Sequence, residues 1–217
     1  MRFNSLAFRL FATAAAWTLL VLPIAHNLRH DQLDSVITEA ALFGEAPADF
    51  NFAPELAFGY RLARHLKAQR EVVRGKPETF NRPDYNFRLD RDDGSREPQG
   101  DERVHISTRQ RGAPLDLIVA EAMILANSTW GGWLAEHGVP GIYRSQASLA
   151  PGIKVRMGIK ALPHAGMGVA QYAWATSPLR RYVDLVNQWQ IIACAKHGRT
   201  AALAAPFKPR DAMLFGV

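Results

Sequence analysis

Two adjacent arginines stand where a helix is predicted to begin, in the stretch ATSPLRRYVDL, residues 175–185. Ser177 suits the N-cap and Pro178 the first helical position, where an N–H would be unpaired anyway. A helix start already carries partial positive charge, so Arg180 and Arg181 are unfavourable there without a nearby anion. Planar guanidinium donors beside free N–H groups match a phosphate. The pattern favours an anionic ligand over its alternative, a carboxylate elsewhere in the chain that neutralises the arginines.

Asp184 is predicted to support this anion site. It follows Arg180 by four residues, so the two side chains share one helix face and can form an ion pair. Such a pair would hold the guanidinium in one orientation.

A second candidate is a carboxylate within an apolar helix. Apolar spacing predicts a helix from Pro114 to His137, which Gly138 ends. Only Asp116 and Glu121 are charged between residues 115 and 126, which is typical of a buried helix. A buried carboxylate is paired, hydrogen-bonded or protonated. Glu121 is therefore expected to form a structural ion pair or to accept hydrogen bonds from sugar hydroxyls.

A third candidate is the aspartate-rich stretch DYNFRLDRDD, which contains Asp84, Asp90, Asp92 and Asp93. Carboxylate oxygens are the ligands that Mg²⁺ prefers. The sequence that follows, GSREPQGD, has the composition of a turn, and this favours a solvated loop over a metal site.

Composition limits the class of protein. The chain has 217 residues, a formal charge of +6, 48% hydrophobic and 21% charged residues. These values are typical of a globular protein with anionic partners. The single cysteine excludes an intrachain disulfide and suits a reducing compartment, so we expect a cytoplasmic location. The sequence contains no CxxC, HExxH or glycine-rich phosphate loop.

The elements around these candidates are predicted to be mixed. Residues 43–56 resemble a loop, and helical spacing over 56–73 ends at Gly75, with basic residues on a solvated face. Alternating runs at 85–89 and 103–108 predict a β-hairpin, and GIYRS and KVRMGI are interpreted as short strands or connections. The fold class is therefore α/β in the mixed, α+β sense.

The last helix is predicted from Pro178 to about His197, with Gly198 as its C-terminal stop. Its apolar spacing predicts one buried face, formed by Leu179, Tyr182, Val186, Trp189 and Ala193.

The first 22 residues differ from the rest. Sixteen uncharged residues follow Arg9, fewer than the roughly 20 that a membrane span needs. A signal peptide and a membrane anchor are alternatives to a buried helix or an accidental leader. We therefore divide the chain into a leader, 1–22, and one domain, 23–217, and expect no membrane association.

The stretch HAGMGVAQYAWATSPLRRYVDLVNQ, residues 164–188, resembles the signature of the ribonuclease II family, whose catalytic region is the RNB domain. Its core, Y-x-x-x-T-S-P-L-R-R-Y-x-D, is long and distinctive. RGAPLDLIVAEAMILANSTW, residues 111–130, resembles the long helix of that domain. The resemblance covers about residues 22–217, as the C-terminal part of the RNB domain, and implies a late start or a frame disruption upstream.

The resemblance implies a 3′→5′ exoribonuclease that hydrolyses single-stranded RNA to nucleoside 5′-monophosphates with Mg²⁺ and no small-molecule cofactor. It implies that Arg180 contacts a phosphate near the scissile bond and that Glu121 hydrogen-bonds a ribose near the 3′ end. Arg181 and Tyr182 would also contact RNA, while Ser177 and Asp184 would have supporting roles.

The sequence departs from the family at its metal site. Family members carry a D-x5-D-x-D-D block far upstream of the long helix. Asp84, Asp90, Asp92 and Asp93 reproduce the spacing, but they lie at the hairpin, only 28 residues before Glu121. We interpret the match as coincidental and assign no metal ligand. The chain is therefore expected to hold RNA without cutting it, as a truncated exoribonuclease or a non-catalytic RNA-binding remnant.

Overall fold

The computed structural model describes residues 37–46, 50, 52–79, 84–89, 100, 102–109 and 112–215. Its helices and strands alternate irregularly, and the mixed fold class is confirmed. In chain order the elements are α1 (Glu39–Leu42), α2 (Ala53–Arg74), β1 (Asp84–Leu89), β2 (Val104–Arg109), α3 (Pro114–Glu136), β3 (Tyr143–Ser145), β4 (Arg156–Gly158), α4 (Tyr182–His197) and α5 (Ala201–Ala204), with 3₁₀ turns at Gly198–Thr200 and Pro209–Phe215.

The two longest helices pack against each other near the N-terminal end of α3. Ile118 of α3 joins a buried cluster with Leu56, Tyr60 and Ala63 of α2. The predicted C-terminal ends of both helices are confirmed. α2 stops at Gly75, whose φ of +75° lets its N–H reach the carbonyl oxygens of the last turn. α2 begins at Ala53, three residues before the predicted start at residue 56, so the end of the predicted loop 43–56 is helical.

The other end of α3 packs against α4 and the C-terminal segment. Because α3 has 23 residues, it extends for about 34 Å and reaches both cores. Leu134 lies in the second core with Ile191 and Cys194 of α4. A third cluster joins Ile142 and Val186 to Phe207.

The predicted hairpin is confirmed as the antiparallel pair β1–β2. Its register places Tyr85 opposite Thr108 and Phe87 opposite Ile106. The two segments predicted as short strands or connections contain strands, β3 and β4, and the structure pairs them antiparallel.

The start of the last helix was predicted wrongly. α4 begins at Tyr182 and not at Pro178, and Ser177 is not its N-cap. Residues 177–181 instead form a turn, in which the Ser177 carbonyl oxygen accepts hydrogen bonds from the Arg180 and Arg181 N–H groups at 3.2 and 3.1 Å. Gly198 does end the helix, as predicted.

The buried face of α4 also differs from the prediction. Leu179, Tyr182 and Trp189 are exposed, although Val186 and Ala193 are buried as expected. The prediction counted apolar residues only. In the structure Asp184, Asn187 and Gln190 are fully buried, because they bond to backbone groups of the chain that crosses this face.

Buried amides hold the segment before the 177–181 turn. The Asn187 amide donates to the carbonyl oxygens of Ile142 (2.9 Å) and Trp174 (2.8 Å), and its oxygen accepts the Ile142 N–H (2.8 Å). From α3, Asn127 accepts the Ala175 N–H at 2.9 Å. The segment 172–176 is therefore held by hydrogen bonds from both helices.

The described helices contain none that is long and apolar enough to cross a membrane. The leader, residues 1–22, lies outside the described residues, so its division from the rest of the chain stays a prediction.

We expect Asn187→Ala to lower the free energy of unfolding by about 3 kcal/mol, because it leaves three buried backbone groups without partners. Urea denaturation measures the loss. Gln188→Ala is the matched control: Gln188 is half-buried and donates one hydrogen bond, to Ala175, so its loss is expected near 1 kcal/mol. Equal losses for the two variants would contradict the role given to Asn187.

Candidate functional site

The centre of the candidate site is the buried carboxylate of Asp184. It is fully buried and accepts three hydrogen bonds: from Arg181 Nε (2.7 Å), from Arg181 Nη2 (2.8 Å) and from the Ser177 backbone N–H (2.8 Å). The pairing of Arg180 with Asp184 was predicted wrongly. Because α4 starts at residue 182, Arg181 and not Arg180 faces the first turn, where Asp184 lies.

Arg180 is left exposed by this arrangement. Within the described residues no carboxylate forms an ion pair with it. The preceding residue, Leu179, is also fully exposed. The turn therefore presents one unpaired guanidinium to solvent while its neighbour, Arg181, is held by Asp184.

A cluster of three side chains lies beside the turn: Arg144, Trp174 and Arg181, called here the Trp174 cluster. The guanidinium carbons of Arg144 and Arg181 lie 4.1 and 4.3 Å from the Trp174 ring centroid, which is cation–π distance. Burial and the positive charge of Arg181 lower the pKa of Arg144. Neither Arg144 nor Trp174 was predicted as a site residue.

Tyr182, predicted to contact RNA, is 61% exposed at the first position of α4. Its ring meets the Trp189 ring edge-on, with centroids 6.3 Å apart. An exposed aromatic ring next to a basic turn can stack on a nucleic-acid base.

Glu121 is buried and ion-paired, the first of its two predicted alternatives. Its Oε2 accepts from Arg70 Nε at 2.9 Å, and its Oε1 from Arg70 Nη2. Arg70 also bonds Glu78 at 3.1 Å and the Met167 carbonyl oxygen at 2.6 Å. Burial disfavours the charged form of Arg70, but the hydrogen bonds and charges of Glu121 and then Glu78 outweigh it and raise the Arg70 pKa.

This network connects α2, α3 and the 164–169 loop. Gly168 has a φ of +66°, and a β-carbon there would collide with the Arg70 carbonyl oxygen. The prediction that the basic residues of α2 are solvated is wrong for Arg70, which is only 8% exposed. Its spacing in the sequence gives no signal for this, since its partner Glu121 is 51 residues away.

His164 lies at the base of the same loop. It is buried, its Nδ1 accepts the Met167 N–H at 3.2 Å, and its ring meets Tyr172 edge-on. Burial, and then the charge of Arg144, lower the pKa of His164.

The described residues do not fit a divalent metal ion. No group of three or more His, Cys, Asp or Glu side chains in the described ranges could hold one. The buried carboxylates of Glu121 and Asp184 are already bonded to arginines. The side chains of Asp84, Asp90, Asp92 and Asp93 lie outside the description, so the interpretation of their spacing as coincidence stays a prediction.

Comparison with known families decides the identity. The RNB domain family matches residues 24–152 and 147–197, well over half of the chain. The chain belongs to the RNB domain family. This confirms the family predicted from the 164–188 signature, and RNB-domain ribonucleases are generally metal dependent.

Relatives agree with this assignment. An uncharacterised ribonuclease of Synechocystis is 35% identical over 115 residues, which cover 43% of this chain and 17% of that protein. An active-site mutant of the exoribonuclease Dss1 from Candida glabrata shares the fold, with a TM-score of 0.58 at 19% identity over 75% of this chain and 25% of that one. RNase R of Mycoplasma genitalium, in complex with ribose-methylated single-stranded RNA, gives a TM-score of 0.54 at 14% identity over 86% and 34%. The chain thus spans about a third or less of these relatives.

We expect Glu121→Ala to lower the free energy of unfolding by about 3–5 kcal/mol, because it leaves the Arg70 guanidinium buried with less neutralising charge. In the double variant Arg70→Met, Glu121→Leu the loss should be smaller than the sum of the single losses, since no unpaired charge remains. Chemical denaturation measures both.

The matched control is Arg64→Ala on the same helix. Its ion pair with Glu39 is more than half exposed, so the expected loss is below about 1 kcal/mol. Additive losses for Arg70 and Glu121 would contradict the pairing.

We expect stability to fall as the pH drops below about 6.5, the ordinary pKa of histidine. Because the His164 pKa is lowered in the folded state, the unfolded chain takes up a proton first, and the free energy of unfolding decreases until the folded pKa is reached. Thermal melting between neutral and acid pH measures this. His164→Asn should flatten the dependence and the exposed His65→Asn should not; the reverse result would exclude His164 as its source.

Proposed function

We propose that this chain is the RNA-holding part of an RNB-type 3′→5′ exoribonuclease, which hydrolyses single-stranded RNA to nucleoside 5′-monophosphates. One observation carries the proposal: the buried Asp184 carboxylate fixes Arg181 and the Ser177 N–H, and this leaves Arg180 exposed and unpaired within the described residues. An exposed guanidinium on a fixed turn is suited to a phosphate oxygen.

The position of the turn adds to its attraction for phosphate. The turn leads directly into α4, whose N-terminus at Tyr182 carries partial positive charge. A phosphate held by Arg180 would lie near this end of the helix, and the Tyr182 ring could stack on an adjacent base. These residues bind and orient the RNA backbone.

We propose that Glu121 accepts a hydrogen bond from a ribose hydroxyl only while it stays paired with Arg70. Its carboxylate is 2% exposed and bonded to Arg70, so a hydrogen bond to ribose requires that one oxygen share its acceptor capacity with the sugar. Arg70 would then act by orienting the carboxylate.

Hydrolysis itself is proposed for the longer enzyme that the relatives represent. Their names include an exoribonuclease and an RNase R in complex with single-stranded RNA, and another structure of that RNase R is in complex with double-stranded RNA. The described residues supply no fitting metal ligands, so no catalytic step is derived for them. We propose that this chain alone binds RNA and does not cut it; its cytoplasmic location stays a prediction.

The second candidate function is a non-catalytic RNA-binding protein, which the commitment of the buried carboxylates to arginines favours. Incubation of the purified chain with labelled single-stranded RNA and Mg²⁺ tests what the two share, because each predicts binding without release. Mg²⁺-stimulated release of nucleoside monophosphates from the 3′ end would contradict both and show that the chain is a nuclease by itself. Absence of binding would also refute both candidates.

We expect Arg180→Ala to weaken single-stranded RNA binding about tenfold without changing the melting temperature, because its guanidinium has no structural partner in the described chain. Arg181→Ala should instead lower the melting temperature, since it leaves Asp184 buried without its cation. Fluorescence anisotropy and thermal melting measure the two effects.

Arg199→Ala, an exposed arginine after the opposite end of α4, is the control and should change neither quantity. Unchanged RNA affinity in Arg180→Ala would remove the role proposed for this turn.

A further inference from the structure

The backbone pairing of residues 143 and 173 places Arg144 and Trp174 on the same side of the two paired segments. Tyr143 pairs antiparallel with Ala173, and the Arg144 N–H donates to the Tyr172 carbonyl oxygen at 2.8 Å. Alternate residues of paired strands share a face, so the Arg144 side chain lies beside Tyr172 and diagonal to Trp174. The Asn187 amide holds the Trp174 carbonyl oxygen, which fixes the indole's backbone.

Positive charge in the Trp174 cluster exceeds the negative charge that faces it. Arg144 and Arg181 both lie over the indole, but the Asp184 carboxylate is bonded to Arg181 and the Ser177 N–H. Within the described part of the chain no carboxylate forms an ion pair with Arg144. The indole face attracts cations but carries no net charge, so it does not neutralise them.

The surroundings of Arg144 make an anion favourable there. Arg144 is half-buried, and its charged form is disfavoured first by burial and also by Arg181, which together lower its pKa. A bound anion would offset both effects. Arg144 follows Ile142 by two residues, and the Ile142 backbone is anchored to Asn187. The Arg144 guanidinium is therefore positioned over the Trp174 ring before any ligand binds.

We propose that Arg144, which lies over Trp174 beside Arg181, forms a second phosphate-binding site for the RNA backbone, separate from the one at Arg180. This rests on the proposed function. Arg181 precedes α4 directly and is adjacent to Arg180 in the chain, so the two sites would take neighbouring phosphates of one strand. The planar fork of a guanidinium matches two oxygens of a phosphodiester.

The test measures how RNA affinity depends on salt. Each phosphate contact to single-stranded RNA contributes about 0.7 to the slope of log affinity against log salt. Anisotropy with a labelled RNA of about ten nucleotides, which fits the usual site sizes, gives the slope for wild type and variants. Arg144→Gln should reduce the slope by about 0.7 and the affinity about tenfold. Arg144→Lys should keep the slope and recover part of the affinity, because it retains the charge without the fork.

Arg156→Ala is the matched control. Arg156 is exposed on β4 opposite Ser145, so its side chain points away from the face that Arg144 occupies. Its removal should leave the slope unchanged. Thermal melting of every variant shows that it is folded; Arg144→Lys serves as the folded comparison if the neutral variant melts early.

The outcomes separate the two proposals. If wild type binds RNA and Arg180→Ala weakens it, but folded Arg144→Gln retains the wild-type slope, the second site is wrong and the proposed function stands. If wild type does not bind RNA, both are wrong. A thermal shift with inorganic phosphate that depends on Arg144, while the RNA slope does not, would assign the site to free phosphate and overturn the RNA assignment.

Discussion

The burial of the Asp184 carboxylate determines the shape of the site. A fully buried carboxylate needs hydrogen-bond donors to replace water, and Asp184 obtains three from Arg181 and the Ser177 N–H. Satisfying it closes the 177–181 turn and moves the start of α4 to Tyr182. The same contacts use Arg181 as the partner of Asp184. Its neighbour Arg180 is therefore left exposed, without a carboxylate partner in the described residues.

Buried polar groups play the same part throughout this region. Asn127, Asn187 and Gln190 are each 1% exposed or less, and each bonds to backbone groups of irregular chain. Backbone without a regular partner strand must find hydrogen bonds elsewhere. The side-chain amides of α3 and α4 therefore hold the 172–176 segment in place. This fixes the backbone of the turn that follows it, which carries Arg180 and Arg181.

Charge in the structure is divided between two kinds of arginine. Arg70 and Arg181 are bonded to buried carboxylates and fix the chain, whereas Arg180 and Arg144 have no carboxylate partner in the described residues. The first kind maintains geometry and the second is available to anions. Net basic charge predicted an anionic partner in general, but only this division locates the surface that would bind it.

The sequence by itself determined what depends on neighbouring residues. Glycines at the ends of α2, α3 and α4, alternation in the hairpin strands and the contiguous 164–188 signature predicted the helix ends, the strand pair and the RNB family, all of which are confirmed. Tertiary structure decided which charges pair. Arg70 meets Glu121 across 51 residues, and Arg181 takes the carboxylate expected to pair with Arg180. Spacing cannot reveal such choices, because burial of a carboxylate depends on the helices packed around it, and burial decides which arginine it must bind.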